Sequence, residues 1–306
     1  MKENLRQPQL LMTGDKIGII STARKISAEE LLPAEKIFDR WGLQIVKGKY
    51  LHAQWNQFAG TDEQRRKDLQ EMLDNPQIKA IICARGGYGT ARIIDNIDFS
   101  RFNKNPKWVV GYSDITALHS HIHTHFNIET LHAAMPLNFP KSGRDNDSTK
   151  SLKKALFEGR LEYSLPKVEI FNDTGFTQIS GILTGGNLSM LYSLTGSPSD
   201  IDSSGKLLFI EDLDEYLYHV DRMILNLKRS KKLSRIKALL VGWMNDMNDN
   251  PVSFGRQAHQ IIKDHTKGLD FPVIFGIPAG HLEPNLALIF GRKIFIERKN
   301  GVSLKM

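Results

Sequence analysis

A chain of 306 residues is about twice the length of a common single domain, so two domains, or one large α/β body with an appended half, are expected. With 41% hydrophobic and 25% charged residues it has an ordinary globular composition, and no apolar run nears the ~20 residues that cross a bilayer, which excludes a helical membrane anchor. The single cysteine, Cys83, excludes an intramolecular disulfide and a cysteine-built metal cage.

The opening Met-Lys-Glu-Asn-Leu-Arg-Gln-Pro-Gln has neither the apolar core nor the small-residue cleavage site of a secretory leader, so a cytoplasmic location is expected. Ile17-Gly18-Ile19-Ile20 reads as a short apolar strand. Ser27 and Glu30 form a capping-box pattern ahead of a helix over 31–41, with Pro33 near its start. A strand at 43–46 follows, then a second capping-box pair, Thr61 and Gln64, ahead of Leu69, Met72 and Leu73, and then strands at 78–84 and 107–110. Cys83 falls inside the third of these strands and reads as a small core hydrophobe. Strands that are apolar throughout and separated by helices predict a parallel sheet covered on both faces, with ligands gathering beyond the carboxyl ends of its strands.

Two segments fall at those ends. Arg85-Gly86-Gly87-Tyr88-Gly89 has neither the Lys-Ser/Thr ending of a P-loop nor the glycine spacing of a dinucleotide fingerprint, so it reads as backbone free to approach a ligand, with the Gly87 N–H as a candidate donor. In the stretch from Trp108 to Thr116 a β-branched run stops at Gly111-Tyr112-Ser113-Asp114 and a helical pattern begins. Such a turn lifts Ser113 out of the sheet to a helix N-terminus, where unpaired N–H groups, that of Asp114 among them, favour negative charge and suit acyl chemistry. His119, His121, His123 and His125 share a helix face only in the pairs 119/123 and 121/125, with no Glu among them in the zinc-protease pattern, so no metal is expected.

From 136 to 178 the periodicity fades into Pro, Ser, Asn, Asp and Lys. A linker is therefore expected at 141–178, between an N-terminal α/β domain over 1–140 that carries the nucleophile and a C-terminal domain over 179–306 that carries the acid and base. The latter shows strands at 179–183, 207–210, 238–243, 273–277 and 286–290, a helix at 216–229, and a closing stretch over 286–296 that reads as a hairpin. The densest basic run, Lys228 to Lys232, sits at the end of that helix, where cations complement the dipole, and no aromatic interleaves it to stack bases. Despite a net charge of +7, no nucleic-acid partner is expected.

A serine alkoxide needs a base within reach and a third group to hold that base in the right tautomer. His281, on a loop after a strand, is the candidate base, although a lone loop histidine more often packs or faces solvent. Glu211 is the candidate acid because it is the first residue to leave the apolar run at 207–210; Asp212, Asp214 and Glu215 suit the first turn of the next helix equally well.

Taken together, Arg-Gly-Gly-Tyr-Gly at 85–89, Gly-Tyr-Ser-Asp-Ile-Thr at 111–116, Gly-Gly-Asn-Leu at 185–188, Glu-Asp-Leu-Asp-Glu-Tyr at 211–216 with Asp221-Arg222-Met223, and Gly-His-Leu-Glu-Pro-Asn at 280–285 resemble the LD-carboxypeptidases (muramoyltetrapeptide carboxypeptidases), whose fold family includes the microcin C immunity peptidases. The resemblance covers nearly the whole chain in the right order. It implies an N-terminal parallel-sheet nucleophile domain and a C-terminal α/β domain with a β-rich, swivelling-type core, assembled as a homodimer without a cofactor. It implies Ser113 as nucleophile, Glu211 as acid, His281 as base, and the Gly87 and Asp114 N–H groups as oxyanion hole.

The implied reaction is hydrolysis of the bond between the L-centre of a diamino acid and a terminal D-alanine in cytosolic muropeptides, during peptidoglycan recycling. Arg85, Tyr88, Asn187 and Trp243 are candidate substrate contacts, Arg85 for the terminal carboxylate. One departure stands at Gly242-Trp243-Met244-Asn245-Asp246, where the family would have a more acidic or Phe-Thr-like segment. Two rival expectations remain: an immunity-type peptidase acting on aminoacyl or peptidyl nucleotides, with Tyr88 or Trp243 stacking on adenine, and a non-enzymatic module that binds a small ligand.

Overall fold

Reciprocal capping starts the first two long helices where the sequence puts them. The Ser27 hydroxyl accepts from the Glu30 N–H at 3.2 Å while the Glu30 carboxylate accepts from the Ser27 N–H at 2.8 Å, and Thr61 and Gln64 repeat the exchange. The computed structural model describes residues 6–306; residues 1–5, at the head of the stretch read above for a leader, lie outside the described residues.

The first half runs β1 (Lys16–Ile20), α1 (Ala28–Arg40), β2 (Gln44–Lys47), α2 (Asp62–Asp74), β3 (Ile78–Cys83), α3 (Ser100–Lys104), β4 (Trp108–Gly111), α4 (Thr116–Phe126) and β5 (Thr130–His132). These five strands are parallel, in the order β5-β4-β3-β1-β2. Alternate side chains feed two cores. Ile17, Ile19, Ile82 and Val110 pack with Leu31, Ile37 and Phe38 of α1, while Ile20, Ile81 and Val109 pack on the other face with Leu69, Met72 and Leu73 of α2 and Leu118 and Ile122 of α4.

Segment 141–178, expected as a linker, is instead largely regular. It holds α5 (Asp147–Glu158), β6 (Glu162–Leu165) and β7 (Glu169–Phe171), and Leu152 and Leu156 of α5 join the core beneath α1. Asn146 and Thr149 supply the capping pair that starts α5, so the polar composition there marks a helix start rather than a tether.

The second half runs β8 (Gln178–Asn187), α6 (Leu188–Leu194), β9 (Leu207–Leu213), α7 (Leu217–Arg229), β10 (Ala238–Asn245), α8 (Ala258–Thr266), β11 (Val273–Phe275), β12 (Leu288–Phe290), β13 (Lys293–Lys299) and β14 (Gly301–Lys305). Its sheet has the order β6-β14-β13-β8-β9-β10-β11-β7, with β8 to β11 parallel and the flanking strands antiparallel. Helices α6, α7 and α8 cover one face; on the other, Leu183, Phe209 and Leu240 pack against Ile294, Ile296, Val302 and Leu304 of the sheet's own strands. This is the mixed α/β architecture with a β-rich second core that the resemblance implies.

The hairpin expected over 286–296 does not form. β12 leaves its own half and pairs antiparallel with β5, becoming the sixth strand of the first sheet, while β13 pairs with β8 and β14. The chain reverses at Gly291 and Arg292, but the N–H of Gly291 and the carbonyl of Arg292 are both bonded to Leu183 of β8, so the turn hands the chain from one sheet to the other. Ile289 enters the core under α1, and Leu288 and Phe290 enter the core of the second sheet.

Candidate active site

Past β4 the chain turns at Ser113, whose φ of +63° holds a side chain in the left-handed region. That conformation costs of order 1 kcal/mol or more for a residue with a Cβ, and it persists because buried Tyr112 and Asp114 pin the turn from both sides. The Tyr112 hydroxyl donates to Asn138 Oδ1 at 3.0 Å, and the Thr90 N–H donates to Asp114 Oδ2 at 2.9 Å. Burial pushes the Asp114 carboxyl above its usual range, against the hydrogen bonds from Thr90. The result is a half-buried serine at the carboxyl edge of the first sheet, heading a short 3-10 turn (Ser113–Ile115) that leads into α4.

The glycine loop abuts this serine. A Cβ built on Gly86 would lie 3.2 Å from Ser113 Oγ. Gly87 has φ +112°, which a residue with a side chain rarely adopts, and its N–H has no partner among the described residues.

Glu211 and His281 arrive from the second half. Glu211, at the end region of β9, is fully buried, and the His281 Nδ1–H donates to its Oε2 at 2.6 Å. Burial works against a charged imidazole, but the Glu211 charge and hydrogen bond, with Asp212 beyond, outweigh it and hold the His281 pKa above its ordinary value. Nε2 of His281 takes no hydrogen-bond partner among the described residues. The ring of Tyr112, the residue before Ser113, meets the His281 ring edge-on at 4.6 Å, and the Asn187 N–H donates to Thr116 Oγ1 at 3.0 Å. Both contacts join the serine turn to the half that bears the acid and the imidazole. An imidazole fixed at Nδ1 by a buried carboxylate has Nε2 free to take a proton from a hydroxyl.

The loop bearing His281 is braced by residues that sequence reasoning missed. The Ser148 hydroxyl, at the start of α5, donates to Glu283 at 2.8 Å and accepts from the Asn285 N–H at 2.7 Å, while Asn146 Nδ2 donates to Glu283 at 2.7 Å. The Asn-x-x-Thr spacing that caps α5 was the available signal.

Three expected substrate contacts are otherwise engaged. Asn187 is 3% exposed; its Nδ2 donates to Asp212 at 2.9 Å and its Oδ1 accepts from Ser189 and Met190, so it caps α6. Asp212 is itself pushed up to about 7, by burial first and by the Glu211 charge next. The Trp243 indole donates to the Pro284 carbonyl at 3.0 Å and so supports the His281 loop. Arg85, half-buried, donates to the Lys25 carbonyl at 3.2 Å and lies 3.8 Å from Glu30. Tyr88, by contrast, is 47% exposed beside the glycine loop.

The four histidines of α4 face four partners: the carbonyls of Gly111 and Pro198 for His119 and His125, and the hydroxyls of Ser199 and Thr130 for His121 and His123. His121 and His125 share a face, with rings 4.4 Å apart. Cys83 is fully buried, and burial pushes its thiol up to about 12. In the basic run, Lys228 donates to the His265 carbonyl and Lys232 pairs with Asp200 at 2.8 Å.

Two family models match this chain: the LD-carboxypeptidase N-terminal domain over residues 17–133 and the LD-carboxypeptidase C-terminal domain over residues 180–296. The chain belongs to the LD-carboxypeptidase family. A probable murein peptide carboxypeptidase of Bacillus subtilis (strain 168) is 36% identical over 289 residues, covering 94% of this chain and 90% of the relative. The crystal structure of muramoyltetrapeptide carboxypeptidase from Oxalobacter formigenes superposes with a TM-score of 0.83 at 27% identity, over 95% of this chain and 98% of that one. The microcin C7 self-immunity protein MccF in complex with aspartyl sulfamoyl adenosine shares the fold, with a TM-score of 0.87 at 22% identity over 98% of each chain. This LD-carboxypeptidase is thus an enzyme of carboxypeptidase type, and the expectation of a non-enzymatic binding module is set aside.

Proposed function

We propose that this LD-carboxypeptidase removes the terminal D-alanine from muropeptides, cleaving its bond to the L-centre of a diamino acid through a Ser113–His281–Glu211 triad. The 2.6 Å contact between His281 and buried Glu211, with the imidazole packed on Tyr112, the residue before a serine held at positive φ, carries the reading. His281 Nε2 takes the Ser113 proton as Oγ bonds to the carbonyl carbon, and the tetrahedral oxygen faces the N–H groups of Gly87 and Asp114. Collapse breaks the C–N bond, and the imidazolium returns its proton to the leaving amine. Water, deprotonated by the same nitrogen, then releases the acyl group from Ser113. Cytoplasmic muropeptides from cell-wall turnover are the substrate pool in this reading, and a homodimer is the assembly.

A second reading, an immunity-type peptidase cleaving aminoacyl or peptidyl nucleotides, is favoured by one observation. Tyr88 and Trp55, each 47% exposed, flank Phe58 beside the glycine loop and offer faces on which a base could stack. The deciding experiment offers the wild-type chain and Ser113→Ala a tetrapeptide ending in D-alanine and an aminoacyl sulfamoyl adenosine. We expect D-alanine release by the wild type, reduced by several orders of magnitude in Ser113→Ala. Retention of a tenth of turnover by Ser113→Ala removes the nucleophile assignment, and cleavage of the nucleotide alone transfers the function to the second reading.

A further inference from the structure

A carboxypeptidase must recognise a free terminal carboxylate, and the residue expected to do so, Arg85, is committed elsewhere. Four arginines surround the glycine loop. Arg65 and Arg92 both pair with Asp62, and Arg85 is held by the Lys25 carbonyl and Glu30. Arg24 is exposed, and its guanidinium has no hydrogen-bond or ion-pair partner among the described residues.

The fold brings Arg24 to the glycine loop that abuts the serine. It follows β1, the glycine loop follows β3, and these two strands are neighbours at the point where the chain reverses its winding, since β1 leads to β2 on one side and β3 to β4 on the other. Ligands of open parallel sheets lie in the crevice beyond such a reversal. The Arg24 N–H donates to the Gly86 carbonyl at 3.3 Å, tying the two segments together. The Arg24 side chain lies across Gly87, where a Cβ would meet its Cγ and Cδ at 2.6 Å and its Nε at 2.9 Å. The preceding residue, Gly86, is the one that abuts Ser113.

The loop therefore has the serine at one residue and a free guanidinium at the next. A substrate's scissile carbonyl and its terminal carboxylate are likewise one residue repeat apart, roughly 3.5 Å along an extended chain. Resting on the carboxypeptidase reading above, we propose that Arg24, in place of Arg85, holds the terminal carboxylate of the substrate and restricts the enzyme to peptides with a free C-terminus. Arginine suits the task because its planar fork matches a carboxylate with two parallel hydrogen bonds, whereas a C-terminal amide presents no charge and one acceptor fewer.

The test compares a tetrapeptide ending in D-alanine with its C-terminal amide, using the wild type, Arg24→Ala, Arg24→Lys and Arg85→Ala. Binding of both peptides is also measured by calorimetry in the Ser113→Ala background, with and without Arg24→Ala. Arg24→Ala is expected to lower kcat/KM for the acid by about 10- to 100-fold, leave the amide nearly unchanged and weaken binding of the acid alone, with Arg24→Lys recovering part of the loss. Arg85→Ala is expected to affect both peptides equally. An acid preference that survives Arg24→Ala, or that disappears in Arg85→Ala, overturns the assignment while the carboxypeptidase reading stands. Acid-selective binding that depends on Arg24, without cleavage by the wild type, supports Arg24 and overturns the D-alanine-releasing reading. A wild type that neither binds nor cleaves the peptide acid overturns both.

Discussion

His281 sits between opposed influences, with burial pressing its pKa down and the Glu211 carboxylate holding it up, and the carboxylate wins. In its proposed role as base it must be neutral, so activity should rise as pH climbs through this elevated value. Glu211→Gln removes the anion and leaves burial unopposed, which should move the acid limb of kcat/KM to lower pH and cut the rate by roughly 10⁴-fold through loss of the held tautomer. A pH profile whose acid limb does not move would sink the pairing. The same shift sets a stability sign: a raised folded pKa makes the pair stabilising below the unfolded value of 6.5, with the benefit lost as pH rises through the folded value. Stability and turnover at this residue therefore change in opposite directions with pH. The strand ends that bear Ser113 and Glu211 were legible because an apolar run breaks there, and His281 was legible only as a histidine on a loop after a strand. What each side chain touches was not, since partners such as Trp243 and Pro284, or Asn187 and Asp212, are brought together only by the folded sheet.

At the scale of elements, the capping boxes and buried strands of the first half were readable because each is a local pattern of a few residues. Strands β6 and β7 were not: they are short edge strands whose residues are exposed or half-buried, so no apolar run marks them. α5 was obscured by its polar flank, yet it braces the loop that bears the imidazole. Ser148→Ala deletes one donor to Glu283 and leaves the buried Asn285 N–H without its acceptor, a loss of about 1–3 kcal/mol. We expect a lower Tm and a reduced kcat with KM nearly unchanged, because the loop positions His281 and not the substrate. Thermal melting with steady-state kinetics checks this, and an unchanged kcat alongside a lower Tm would confine Ser148 to stability.

Across the whole molecule, the expected division at about residue 140 meets two elements that cross it: α5 packs beneath α1, and β12 closes the edge of β5. A fragment ending at residue 140 should therefore lose Leu152, Leu156 and Ile289 from its core and expose an unpaired strand edge, giving an aggregating chain with no cooperative melting transition. A soluble fragment with a sharp transition would show that the first half is autonomous. The crossing of β12 also bears on how the chain is born. His132 of β5 leaves the ribosome long before its partner Leu288, and synthesis at ~5–20 residues per second makes that wait about 8 to 30 s. During it the nascent first sheet has a bare edge of the kind that chaperones cover. The late stretch that closes this edge follows His281 by only a few residues, so the nascent chain gains its imidazole and its finished sheet almost together, and translation itself sets the moment at which a hydrolase can first exist.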